Sequence, residues 1–206
     1  MDRMSLTYWF GYTLFKSAAR ALFGHRVLHR EKLIEEGPVL IVANHQSFLD
    51  PPMLGITYEG PIYFLARKSL FTGPFRSILP RCRAIPIDQE APDSTALKTV
   101  IRLLRAGERV LIFPEGSRSP DGDIHEAMPG ISLILSKANV PVQPLRIHGA
   151  FDCLPMGSSR LRFKPVTVSV GDPVSFTNEE LRARGKEAQQ RLADRVMDAI
   201  RALPVD

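Results

Sequence analysis

The chain has 206 residues, enough for one domain with a sizeable core, and its 44% hydrophobic and 24% charged content is that of a folded globular chain. Its two cysteines, Cys82 and Cys153, form no CxxC pair, which argues against a disulfide framework or a thiolate zinc site. The net charge of +5 favours anionic partners, but no Lys/Arg block supports a nucleic-acid binder.

Residues 1–24 crowd Trp9, Phe10, Tyr12 and Phe15 beside a polar stripe of Thr13, Lys16, Ser17 and Arg20 at helical spacing. The uncharged run from Met4 to Phe15 is shorter than the roughly 20 residues a spanning helix needs. Two readings stay open: a helix lying in a membrane interface, or an amphipathic helix docked on the core. The aromatic content and the lack of a small-residue cleavage site argue against a signal peptide.

Val27-Leu28-His29 reads as a short strand. Val39-Leu40-Ile41-Val42-Ala43 then reads as a buried strand, bounded by Gly37-Pro38. Asn44-His45-Gln46-Ser47-Phe48-Leu49-Asp50 follows, and Pro51-Pro52 allow a helix to begin there. On one continuous helix His45 and Asp50, at roughly 100° per residue, would stand about 140° apart. A strand-end loop carrying His45, turning into a helix whose first turn carries Asp50, lets them meet. Asp50 would then hold the ring in one tautomer while the other nitrogen takes a proton. Taken alone, the pair reads more readily as a polar loop residue and a helix N-cap.

Residues 53–58 continue the helix. Ile62 to Ala66 reads as a buried strand, Lys68 to Leu79 as an irregular helix, and Ala84 to Ile87 as an edge strand because of Pro86. Residues 94–106 give the clearest helix, with Leu97, Val100, Ile101 and Leu104 on one face, a cap at Asp93 or Ser94, and Gly107 as the stop. Val110 to Phe113 is a strand, 130–138 a helix, Val142 to Ile147 a strand, and Val166 to Val170 an alternating, half-buried strand. Thr177-Asn178-Glu179-Glu180 is a capping box, and Gly185 interrupts the helix that ends the chain. The alternation implies one α/β domain with a mixed, mostly parallel sheet flanked by helices.

A second polar motif, Phe113-Pro114-Glu115-Gly116-Ser117-Arg118-Ser119-Pro120, also leaves a strand end, where open α/β sheets place ligands. Gly116 allows positive φ, and Arg118 offers a planar fork of donors suited to phosphate. By itself this stretch is as readily a solvated turn; beside a base at another strand end it reads as an anion clamp. There is no GxSxG, Walker A or GxGxxG sequence. A base without a protein nucleophile leaves the nucleophile to the substrate.

These blocks resemble those of the glycerolipid acyltransferases, most like the bacterial lysophosphatidic acid acyltransferase type. Residues 44–50 are similar to that family's NHxxxxD motif, Phe113 to Ser119 to its FPEGSRS motif, and Val140 to Leu145 to its VPxxPV block. The resemblance implies acyl transfer from an acyl-CoA or acyl carrier protein thioester to the free sn-2 hydroxyl of 1-acylglycerol-3-phosphate, giving phosphatidic acid without an acyl-enzyme. It implies His45 as general base, Asp50 as its orienter, Glu115, Gly116, Ser117 and Arg118 as the acceptor site, and neither metal nor organic cofactor. Another lysophospholipid or a lyso-aminolipid as acceptor, or a lipid-binding scaffold with an inactive site, are the alternatives. Where the family often has Lys-x-Glu-Leu-Phe and Ile-Asp-Arg, this chain reads Lys68-Ser69-Leu70-Phe71 and Ile87-Asp88-Gln89. Arg81 or Arg83 would then replace the anion contact missing at Gln89, and Lys68 would face the oxyanion or be a surface lysine. Residues 1–26 would hold an acyltransferase domain of residues 27–206 on the cytoplasmic face of a membrane, peripherally, with no nucleic-acid partner.

Overall fold

A computed structural model describes residues 6–74, 76–88 and 93–205; Met4, at the start of the aromatic run, and Gln89 lie outside them. The apolar run at 39–43 forms β2 (Val39–Ala43), every residue of which is buried. It is the middle strand of one seven-stranded sheet, because both its faces are apolar and only a strand covered on both sides can be so. The others are β1 (Arg26–Leu28), β3 (Tyr63–Arg67), β4 (Ala84–Ile87), β5 (Arg109–Ile112), β6 (Val142–His148) and β7 (Thr167–Val170), in the order β1-β7-β6-β2-β5-β3-β4. All neighbours run parallel except β6 and β7.

Alternate residues of β2 serve two cores. Val39, Ile41 and Ala43 pack with α1 (Leu6–Phe23), α2 (Asp50–Gly55) and α5 (Ala150–Cys153). Leu40 and Val42 pack with α3 (Ser94–Arg105), α4 (Gly130–Ala138) and α7 (Lys186–Arg201). Each fully buried Leu or Ile contributes about 1.5–3 kcal/mol. The local signals act where they stand. Asp93 caps α3 by accepting from Thr95 N and Ala96 N. The Thr177–Glu180 capping box opens α6 (Asn178–Arg182). Gly185, at φ 100°, separates α6 from α7.

Of the two readings of the N-terminal segment, α1 shows the helix docked on the core. Tyr12, Phe15, Ala19 and Phe23 pack on the core, and Tyr12 Oη donates to Tyr58 O at 2.5 Å. Phe10, Leu14 and Leu22 stay exposed on the other side. Among the described residues no helix is long and apolar enough to cross a membrane.

β7 departs from its half-buried reading: Thr167 and Ser169 are buried along with Val168 and Val170. The strand lies between β1 and β6, and the C-terminal segment covers its polar face. Ser169 Oγ donates to Pro204 O at 2.5 Å, and Arg26 Nε donates to Thr167 Oγ1 at 3.1 Å. β3 is only half-buried, since β4 beside it is the sheet edge, as Pro86 implies.

Burial makes one histidine acid-sensitive. His25, behind α1, is 8% exposed, and desolvation pushes its ring down to about 4. The unfolded chain binds that proton near 6.5, so the neutral ring's contribution is present above pH 6.5 and is lost as pH falls towards 4. The loss from this group reaches about 3 kcal/mol at most. Urea unfolding of His25→Gln should show a shallower fall in stability between pH 6.5 and 4 than the parent; parallel curves would exclude His25 as the cause.

Candidate active site

The parallel pairing of β2 with β5, Val42 opposite Ile112, sets the C-terminal ends of these strands side by side. Both polar motifs therefore leave the sheet at the same edge, as neighbours. Asn44 makes the first turn rigid: its side chain donates to Ile147 O and accepts from Ile147 N, both at 2.9 Å, extending the β2–β6 ladder by one residue. Its role had no signal in the sequence beyond its place in the motif, because its partner is a backbone a hundred residues away.

The chain then turns, and α2 begins at Asp50. His45 Nδ1 donates to Asp50 Oδ2 at 2.7 Å. The same oxygen accepts from Gln46 N at 2.5 Å and Ser47 N at 2.7 Å. Asp50 thus ties its own upstream turn and does not cap the helix. The helix offers nothing to cap there: Pro51 and Pro52 have no N–H, and Met53 N already donates to Leu49 O. Asp50 is completely buried, and desolvation pushes its carboxyl above the ordinary range against the pull of His45 and the two amides.

The second motif grips His45 by its backbone. His45 N donates to Glu115 Oε1 at 2.8 Å, and Ser119 N donates to His45 O at 2.7 Å. Phe113 stacks on the imidazole with ring centres 3.9 Å apart and planes 14° apart. Ring orientation is therefore set on three sides, by Asp50, by the Phe113 face and by the clamped backbone. Nδ1 is taken by Asp50, which leaves Nε2 as the nitrogen able to accept a proton; 15% of the side chain remains exposed.

Glu115 is buried, and its other oxygen accepts from His125 N at 3.1 Å. Burial raises this carboxyl, and the two backbone donors oppose that shift. Both its oxygens are engaged inside the protein, so the geometry makes Glu115 a brace between two loops. Gly116, at φ 74°, turns the loop in the left-handed region, and a Cβ there would meet Met128 Cγ at 2.8 Å. Ser117 is exposed, and Arg118 lies partly buried, its guanidinium carbon 3.6 Å from the centre of the Phe48 ring. Burial, with Arg67 nearby, lowers the Arg118 guanidinium, and the Asp50 charge opposes this. Arg67 ends β3, three residues past the Phe64–Leu111 pair, and brings a second cation to this edge. Phe48 and Arg67 escape sequence reasoning because only the strand order makes them neighbours of Arg118.

Lys68 follows Arg67 at the same edge, exposed, where its charge lowers the Asp93 carboxyl after the backbone donors to that side chain. Arg81 and Arg83 are not brought to the site. They precede β4, whose Ala84 is level with Phe64, whereas the site lies beyond Arg67 and Ile87. Three residues of strand separate the two ends, about 10 Å. Arg83 pairs there with Glu108 at 3.0 Å and lies over Tyr63, and Arg81 donates to Ser77 O at 2.5 Å. Parallel pairing, which no local pattern reveals, sends these cations to the wrong end of the sheet.

Among the described residues no group of three or more His, Cys, Asp or Glu could hold a metal ion. Burial raises both cysteine thiols, and Cys153 Sγ donates to Lys164 O at 3.4 Å. The arrangement can remove a proton from a group held near Nε2 while cations hold an anion beside it.

Comparison with known proteins gives a matching family model, described as acyltransferase, over residues 25–148. The chain is 28% identical over 207 residues to a 1-acyl-sn-glycerol-3-phosphate acyltransferase of Streptococcus pneumoniae, covering 98% of this chain and 74% of that one. It is 30% identical over 164 residues to a chloroplastic 1-acyl-sn-glycerol-3-phosphate acyltransferase of Brassica napus, covering 76% of this chain and 46% of the relative. The chain thus spans about half the length of that plant relative and of a probable enzyme of the same name from Mycoplasma genitalium, 47% of which is covered. In fold it is similar to the crystal structure of a 1-acyl-sn-glycerophosphate acyltransferase from Thermotoga maritima, with a TM-score of 0.71 at 24% identity, covering 100% of this chain and 86% of that one.

Proposed function

The chain belongs to the acyltransferase family, and from that premise we propose that it moves a fatty acyl group from an acyl-CoA or acyl carrier protein thioester to the free sn-2 hydroxyl of 1-acylglycerol-3-phosphate, giving phosphatidic acid. The observation that carries this reading is the His45–Asp50 pair, oriented by Asp50 and clamped by the Glu115–Ser119 loop that also carries Arg118. His45 Nε2 takes the proton of the acceptor hydroxyl as its oxygen attacks the thioester carbonyl. The C–S bond breaks, and the thiolate leaves with a proton from the His45 imidazolium. Asp50 stabilises that imidazolium at 2.7 Å. The transfer is direct, without an acyl-enzyme: among the described residues the ring's hydrogen-bond partner is Asp50, not a serine or cysteine.

Arg118, with Arg67 beside it, holds the acceptor phosphate; Gly116 and Ser117 lie exposed on the same loop, where they shape that pocket. Glu115 acts as a positioning residue. Lys68, exposed just past Arg67, meets in this reading the negative charge that develops on the thioester oxygen or the donor's phosphates. The exposed side of α1 holds the enzyme peripherally at a membrane, where the acceptor resides. Neither metal nor organic cofactor has a part in these steps.

A thioester-release assay with 1-acylglycerol-3-phosphate and each donor in turn tests the proposal. Release dependent on this acceptor supports it, and preference for another lysolipid in the same panel overturns the acceptor. Arg118→Ala should raise the acceptor KM about 10–100-fold with little change in kcat, the value of a lost charge-assisted contact. An unchanged KM would remove Arg118 from the phosphate site.

A further inference from the structure

The loop between α5 and β7 is not used by the reaction, yet it is built to be seen. Met156, Leu161 and Phe163 are 45%, 43% and 57% exposed. Single exposed apolar residues are ordinary, but three large ones on one loop, interleaved with exposed Arg160, Arg162 and Lys164, are not. The loop is held in place. Arg162 N donates to Cys153 O at 2.8 Å, Ser158 N donates to Pro155 O at 3.1 Å, and the Phe163 ring lies 5.3 Å from Phe23 at the end of α1. On its other side Ser47 Oγ donates to Leu154 O at 2.8 Å, which ties it to the loop carrying His45. Phe48 there is 54% exposed, and Leu22, next to Phe23, is 51% exposed.

β7 runs antiparallel to β6, so this loop returns to the sheet at the edge where His45 stands. Exposed apolar side chains from the end of α1, the His45 loop and the 156–164 loop therefore share one edge of the sheet. Arg160, Arg162 and Lys164 form no salt bridge among the described residues. A partner that offers anionic groups above an apolar layer satisfies both halves of the pattern at once, and that is an anionic lipid bilayer. Continuity with the exposed face of α1 favours this occupant over an acidic protein.

We propose that residues 156–164 are a second membrane-contacting element, which seats the mouth of the site on an anionic lipid surface. The apolar tips enter the interface, and the three cations meet lipid phosphates. Contact through α1 alone would leave the molecule free to roll about the helix axis; a second contact near Phe23 fixes which edge of the sheet faces lipid. The claim does not rest on the acyl-transfer reading, because vesicle binding is read without substrate.

Vesicles of phosphatidylglycerol mixed equally with phosphatidylcholine, and of phosphatidylcholine alone, test it by flotation. The variant Arg160→Gln/Arg162→Gln/Lys164→Gln should bind the mixed vesicles on the order of a hundredfold more weakly. Lys98→Gln/Arg102→Gln should bind them like the parent, since α3 covers the opposite sheet face from α1. Trp9 is the one tryptophan of the chain, so Leu161→Trp in a Trp9→Phe background places a single probe on the loop. Its fluorescence should be quenched by brominated acyl chains in the mixed vesicles. Leu161 is 43% exposed, so a larger apolar side chain there extends into solvent and the fold should persist. An unquenched probe on vesicle-bound protein, or parent-like binding by the triple variant, would overturn the proposal.

Discussion

His45→Ala is expected to lower kcat by about 10³–10⁴-fold in the thioester-release assay. A positioned general base contributes about 10²–10⁴-fold, and this ring also orients the attacking hydroxyl. The backbone bonds from the Glu115 and Ser119 groups do not depend on the side chain, so the loop should persist. What the variant loses in stability is the packing of one ring on Phe113, about 1 kcal/mol, and the ring's hydrogen bond to buried Asp50, about 1.5–3 kcal/mol, while Gln46 N and Ser47 N still hold that carboxyl. A folded, inactive protein with an intact acceptor site is therefore the expected result. Activity within tenfold of the parent would remove His45 as the base.

Asp50→Asn should cost about 10²–10⁴-fold in kcat and leave the acceptor KM nearly unchanged, the reverse of Arg118→Ala. One carboxylate oxygen of Asp50 now accepts three N–H groups: the ring, Gln46 N and Ser47 N. An amide has one accepting oxygen, and its NH₂ cannot accept from any of the three. If the oxygen keeps the ring, the negative charge that stabilises the imidazolium is gone. If the side chain flips, Nδ1 faces a donor and the ring adopts the wrong tautomer. The position is fully buried, so unsatisfied donors cost about 1–3 kcal/mol, which a fall in Tm would register. Recovery of kcat at high pH, without recovery of stability, would separate the charge effect from the packing effect. Parent-like kcat in a folded Asp50→Asn protein would mean that the carboxylate is only structural.

Much of the site was legible because it is local. His45 and Asp50 are close in sequence, and the turn that lets them meet is announced by a buried run on one side and two prolines on the other. The helix at 94–105 announces itself through its apolar face and Asp93, and the break at Gly185 through the glycine alone. The docking of α1 on the core was visible too, as one of two readings of its amphipathic pattern. Arg83 shows the opposite case. Its chemistry suits an anion as well as that of Arg118 does, and nothing within ten residues says which end of the sheet it occupies.

The amino-acid sequence by itself determined the strands, the helix caps, the His–Asp turn and the glycine that bends the second loop, since each depends on side chains within a few residues of one another. Only the tertiary structure decided that β2 lies against β5, so that Ser119 and Glu115 grip His45, Arg67 joins Arg118, and Arg81 and Arg83 fall at the far end. It also decided that Glu115 braces two loops rather than standing free for a ligand, and that Thr167 and Ser169 are buried. The physical reason is the same in each instance: strand order is chosen by the burial of whole faces across the sheet, and that choice involves residues a hundred positions apart which carry no mark of one another.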